Sequence, residues 1–227
     1  TVADSIALAA RARRSYVDWL LNGVAGVVQA VLDGSHRLLL AKGAEPALQH
    51  QRRDIMMDLQ RSAPAWLNGM TQLLHGASTS GGVVMASRVG EFHAAPLRAS
   101  NLSLVDNKTF EAAILSSRLA LAMMDRASWE FSDLRSRMLS LERHDELDVN
   151  DVLRPHVLSR IVTTAWQDAG LSHESWRPLQ QVLHDEFSSF AEEAYHETNS
   201  WLVQQRVLPE IDLRPFIRRP RHAHPGS

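Results

Sequence analysis

The stretch Val17-Asp-Trp-Leu-Leu-Asn-Gly-Val-Ala-Gly-Val-Val-Gln-Ala-Val-Leu32 carries the pattern that decides the fold. Val17, Leu20, Leu21, Val24, Val27, Val28, Val31 and Leu32 return every three or four residues, and Leu38 and Leu39 continue the row. That is the period of an α-helix with one wide buried face, and it predicts a helix over about Asp4–Ala41. Asp18, Asn22 and Gln29 interrupt the run, and a bilayer span needs about 20 mostly apolar residues. A transmembrane reading is therefore set aside, and the arginines at 11, 13 and 14 lie too deep for a secretory signal.

Working outward, Lys42-Gly43-Ala44-Glu45-Pro46 ends this helix and starts another, since glycine suits a helix end and proline a first turn. The second helix carries Leu48, Ile55, Met56, Leu59, Trp66, Leu67, Met70, Leu73 and Leu74, with Pro64 predicting a bend or a break beside Ser62. Residues 76–100 hold Gly76, Gly81, Gly82, Gly90, Pro96 and several serines with no sustained period, and read as a flexible linker in which Gly81 and Gly82 are spacers. Beyond it, Asp106 is the expected N-cap of a long helix with the apolar row Phe110, Ile114, Leu121, Met124, Phe131, Leu134, Met138 and Leu141. A helix over Val152–Ala169 ends at Gly170, and Ser172 caps a last one over about Glu174–Arg206.

The expected fold is all-α: long amphipathic helices in an antiparallel bundle, as two helical halves joined by a flexible linker. The boundaries are 1–75 for an N-terminal helical hairpin, 76–100 for the Gly/Ser-rich linker, 101–206 for a three-helix unit and 207–227 for an extended Arg/Pro-rich tail. No alternating strand pattern is found.

The 227 residues balance 24 basic against 26 acidic side chains, so no global field draws nucleic acid or an anionic membrane. Cysteine is absent, which excludes disulfides, thiolate metal sites and a cysteine nucleophile. Glu193-x-x-His196 has the spacing of a carboxylate-bridged metal site in a helical bundle, but such sites need a second copy and more inward acids, with Glu111 or Glu130 as the nearest candidates. His222 and His224 flank one residue, a spacing that pinches a transition metal only weakly and is taken as incidental, and the pairs His144-Asp145 and His173-Glu174 have no visible nucleophile partner. Phosphate-cradling loops, a Gly-x-Ser-x-Gly elbow and a His-Glu-x-x-His pair are all missing.

Basic spots occur at Arg11, Arg13 and Arg14, at Arg52 and Arg53, and at Arg214, Arg218, Arg219 and Arg221, without an interleaved aromatic platform for bases. Gly23, Ala25 and Gly26 would let another helix approach closely, whereas Trp19, Leu20 and Leu21 with the upstream arginines would suit a membrane boundary. Core packing is the reading taken.

Asn101-Leu-Ser-Leu-Val-Asp106, Tyr195-His-Glu-Thr-Asn199 and Arg206-Val-Leu-Pro209 with the Arg/Pro tail resemble the bacterial family of unknown function DUF1631. In that family a Leu-Ser-Leu-Val-acidic motif opens a helix and Gly-Val-Leu-Pro closes the N-terminal region. This chain has Arg206 in the place of that glycine, and Asn150-Asp-Val-Leu-Arg-Pro155 where the family often has Asn-Pro-Leu-Gly-Pro. The resemblance implies the N-terminal helical region of a longer signalling protein. Some members bear the label thymidine phosphorylase, but the phosphate-binding glycines such an enzyme requires are missing here.

The resulting expectation is a non-catalytic helical interaction or regulatory module of the bacterial cytoplasm. No catalytic, cofactor-binding or metal residues and no cofactor are assigned, and it joins a protein partner or its own copy through apolar helix faces. Nucleic acid and membrane are not expected partners. The alternatives are a metal-dependent bundle enzyme built on Glu193 and His196, and a peripheral membrane-binding module.

Overall fold

The computed structural model describes residues 1–41, 43, 45–82 and 99–211, with side chains from residue 109 onward in the last stretch. Five helices follow in order: α1 Val2–Leu40, α2 Pro46–Thr79, α3 Ala99–Glu142, α4 Pro155–Asp168 and α5 His173–Gln204. No strand occurs among the described residues.

Local chemistry sets most of the boundaries. Pro46 and Pro155 each occupy the first turn of a helix, where the missing N–H costs nothing. The Ser172 hydroxyl accepts from the Ser175 N–H at 3.2 Å and caps α5. Three helices end in the same device, a left-handed residue that lets the next N–H reach back to the last turn. Gly81 does this for α2, with Gly82 N–H to Ala77 O at 2.9 Å. Gly170 does it for α4, with Leu171 N–H to Trp166 O at 3.2 Å. In α5 the left-handed position is Arg206, at φ 61°, and Val207 N–H reaches Leu202 O at 3.0 Å while both of these side chains enter the core.

The α1–α2 loop is short, so these helices form a hairpin. α1 and α5 are antiparallel, as shown by Tyr16 stacked on Tyr195, Trp19 on Phe190, and Gly34 against Val182. α3 and α5 run parallel, because Glu111 meets His173 near their starts and Arg137 meets Asn199 near their ends. That arrangement needs α4 as a return strut, and α4 packs between α3 and α2. One apolar cluster runs through all five helices, so helices from both sides of residues 83–98 share a core. Trp66 of α2 is fully buried, lies edge-on to Trp166 of α4 and Phe187 of α5, and donates its indole N–H to Val162 O at 3.2 Å.

By length and composition α1 is the one described helix apolar enough to cross a membrane. Its stripe of Tyr16, Val17, Leu20, Val24, Val28 and Val31 is buried in the bundle instead.

Several expectations are corrected. α2 continues through Pro64 without a break, because Pro64 and Gln60 face solvent and water can satisfy the carbonyl that loses its donor. Residues 76–79 belong to α2, and Gly81 and Gly82 terminate it rather than act as spacers. The rest of the expected linker, 83–98, lies outside the described residues, as does the tail from 212 onward. α3 begins at Ala99, so Asp106 is inside it and not its N-cap. The buried row of α3 is Leu115, Leu119, Met123, Ala127, Phe131, Leu134, Met138 and Leu141. Phe131, Leu134, Met138 and Leu141 of the expected row are buried and Met124 packs against the core, whereas Phe110 and Leu121 do not. Phe110 is 68% and Leu121 65% exposed, because small Ala127 and the 115–119–123 spacing place the core on the neighbouring face. Leu48 of α2 is likewise exposed.

Candidate functional site

Two clusters of polar side chains stand out. The first is built on Arg13, which sits among the buried residues Ala9, Ala12, Tyr16 and Val17 on the inner face of α1. Its guanidinium bonds both carboxylate oxygens of Glu142 at the end of α3, and Asp151 Oδ2 at 2.6 and 3.0 Å. Asp151 is 1% exposed and also accepts from the Leu153 N–H through Oδ1, which fixes the loop between α3 and α4. Burial alone would pull the Arg13 pKa down, but the hydrogen bonds to Glu142 and Asp151 outweigh it and hold the pKa above its ordinary value.

Gly82 closes the cluster from α2: a Cβ there would lie 2.4 Å from Arg13 Cδ. Tyr16 and Tyr195 stack beside it, with Tyr195 donating to Leu153 O at 2.8 Å and the Tyr16 hydroxyl buried without a partner. Burial pushes both phenols well above their usual range. Apart from the Tyr16 hydroxyl these groups are paired, and the cluster joins α1, α2, α3, α5 and the 148–154 loop.

The second cluster lies on the outer side of α5. His196 Nδ1 and Glu130 Oε1 of α3 are 2.8 Å apart, and the hydrogen bond to Glu130, followed by its charge, raises the His196 pKa. Glu130 also accepts from Asn199 at 2.8 Å through both its backbone oxygen and Oε2, and Asn199 Oδ1 accepts from buried Arg137 at 2.6 Å. Arg126 and Glu192 pair at 2.6 Å. Two open hollows meet at Trp19. One, of about 360 Å³, is lined by Trp19, Glu130, Glu192, Glu193, His196 and Glu197. The other, of about 350 Å³, includes Ser15, Asp18, Trp19, Glu197, Trp201 and Gln204. The Arg11 guanidinium lies 5.4 Å from the Trp201 ring centroid.

The structure sorts the sequence candidates. Glu193 and His196 share a hollow, and Glu130 does approach His196, but Glu111 instead meets His173 Nε2 at 2.8 Å. No group of three potential metal ligands forms among the described residues. His144 and Asp145 are exposed after α3, and Glu174 lies in the first turn of α5. Arg13 leaves the proposed basic spot for the interior, Arg11 lies over Trp201, and Arg52 reaches Leu38 O. His222, His224, Arg214, Arg218, Arg219 and Arg221 lie outside the described residues. Gly23 does admit a neighbour, its missing Cβ position lying 2.7 Å from Phe190 Cε2, while Gly26 meets nothing within 4 Å.

Sequence reasoning missed the Arg13–Glu142–Asp151 cluster and Asn199. One signal was present: a lone arginine on a buried helical face requires a buried acid. No pattern in the sequence said which.

No curated protein and no solved structure matches the chain. A family model described as "Protein of unknown function (DUF1631) N-terminal domain" matches residues 9–206, from the inner face of α1 to the left-handed residue that ends α5. The chain belongs to the DUF1631 family, in whose N-terminal domain these five helices fall.

Proposed function

We propose that this domain is a non-catalytic helical interaction module that offers the outer face of α3 to a protein partner or to a second copy of itself. The observation that carries the reading is the exposure of Phe110 (68%), Leu121 (65%) and Trp129 (75%) on one helix. Phe110 and Leu121 stand eleven residues apart, close to three full turns, and so fall on one line of the helix surface. Scattered exposed apolar residues are ordinary, but large ones aligned on a helix are what helix-in-groove and helix-on-helix contacts use as anchors. The paired and closely packed polar interior around Arg13 supports a structural rather than a chemical use of the buried charges. The bacterial cytoplasm is the setting we infer, since the apolar stripe of α1 is occupied by the bundle.

Sedimentation equilibrium of the chain, with affinity capture by the full-length protein, tests this. Self-association or a specific captured protein is expected, lost in Leu121→Glu/Trp129→Glu with the melting curve little changed. A strict monomer together with capture that the double variant leaves intact overturns it.

A further inference from the structure

The two hollows along α5 form one groove. It extends from Glu192 to Gln204, twelve residues of helix or about 18 Å at 1.5 Å per residue. Its walls are tryptophan, Trp19 at the middle and Trp201 at one end, and its rim is acidic. Glu192 is paired with Arg126 and Glu130 with His196, whereas Asp18, Glu193 and Glu197 have no ion-pair partner among the described residues. The groove thus combines unneutralised carboxylates with indole faces, the chemistry that receives guanidinium groups. The fold already demonstrates the fit once, since Arg11 lies over the Trp201 ring.

The chain also supplies a matching segment. α5 ends at Gln204, itself a groove residue, and leaves through the left-handed turn at Arg206 while Val207 returns to the core. The described chain stops at Ile211, and three residues later begins Arg214-Pro-Phe-Ile-Arg-Arg-Pro-Arg221. Seven residue steps at about 3.1 Å span roughly 22 Å in extended form, comparable to the groove. Its four arginines complement in charge the carboxylates of Asp18, Glu193 and Glu197, none of which forms an ion pair among the described residues, and a tether of a few residues would give an effective concentration on the order of millimolar.

We propose that the groove formed by Trp19, Trp201, Asp18, Glu193 and Glu197 seats the chain's own arginine-rich segment Arg214–Arg221.

The absence of cysteine makes the test direct in the full chain: Ala223→Cys provides the one attachment point for a nitroxide. The readout is line broadening of the six tryptophan indole N–H signals. Trp19 and Trp201 are expected to broaden severalfold more than exposed Trp129, and the excess is expected to disappear at high salt and in Glu193→Gln/Glu197→Gln. Equal broadening at Trp19, Trp201 and Trp129, or none at any of them, overturns the proposal. So does broadening that persists in the double variant. Because Trp129 belongs to the α3 face, an altered oligomeric state registers at that signal and in sedimentation, so failure of the interaction-module reading is seen separately.

Discussion

Trp66→Ala is the most searching perturbation of this fold, because Trp66 is the side chain through which α2 holds both α4 and α5. A buried tryptophan removes about 150–250 Å² from water, which at about 25 cal/mol/Å² gives an upper bound of about 4–6 kcal/mol. Its two edge-on aromatic contacts add to this, and the indole N–H bond to Val162 O is lost as well. Partial collapse of the cavity brings the expected loss to about 3–5 kcal/mol. For a chain of this size that is a fall in Tm of roughly 6–20 °C.

Urea and thermal unfolding, followed by helical circular dichroism and by tryptophan fluorescence, provide the measurement. One lowered transition with coincident probes is expected, since a single cluster joins all five helices. Two separated transitions, one unchanged from the wild type, would show that α1–α2 and α3–α5 fold as independent bodies. A loss below about 1 kcal/mol would show that the contact is dispensable; either result refutes the shared core.

Asp151→Ala leaves Arg13 buried with Glu142 alone and is expected to cost about 3–5 kcal/mol, while the double variant Arg13→Met/Asp151→Leu recovers much of it in the same urea assay. Arg206→Gly is expected to stabilise by about 1 kcal/mol, because φ 61° burdens any side chain with a Cβ; a lowered urea midpoint would contradict the geometry. Gly26→Ala, with open space, is expected to gain up to about 1 kcal/mol from helix propensity, whereas Gly23→Ala, against buried Phe190, is expected to lose about 1–3 kcal/mol from overpacking.

Two of the α5 histidines, His196 and His184, give opposite pH signatures. His196 is raised by Glu130, so its contribution is fully present below about pH 6.5 and is lost as pH rises through its folded pKa. His184 is lowered by burial, so its contribution is present above about pH 6.5 and is lost as pH falls through its folded pKa. Urea midpoints between pH 5 and 8 for His196→Ala and His184→Ala should deviate from the wild type in opposite directions; parallel deviations would contradict this assignment.

The helical architecture was legible because periodicity is a property of one segment at a time. Val17 to Val31 could be assigned inward without knowing any partner, and Gly170 and Ser172 name their positions through their own backbone preferences. The face of α3 was legible only where large residues dominate, from Phe131 to Leu141. Before that, the choice between Leu115–Leu119–Met123 and Phe110–Ile114–Leu121 depends on which helix lies opposite, and that information sits elsewhere in the chain. The charged cluster is harder still, since Arg13 finds Asp151 138 positions away and no local rule couples them. At the α5 terminus the resemblance and the geometry agree on why glycine belongs at position 206, and Arg206 is tolerated because Val207 and Leu202 anchor the turn.

The pairing of the earliest helix with the latest has a cost during synthesis. α1 is complete at Leu40, but α5, which covers Tyr16, Trp19 and Gly34, is complete only at Gln204. At about 5–20 residues per second a ribosome needs roughly 8–30 s to make the intervening stretch. For that interval the nascent chain carries a valine-rich ribbon shielded by α2, and in part by α3 once that helix is made, so this domain should lean on a holding chaperone more than its modest size suggests.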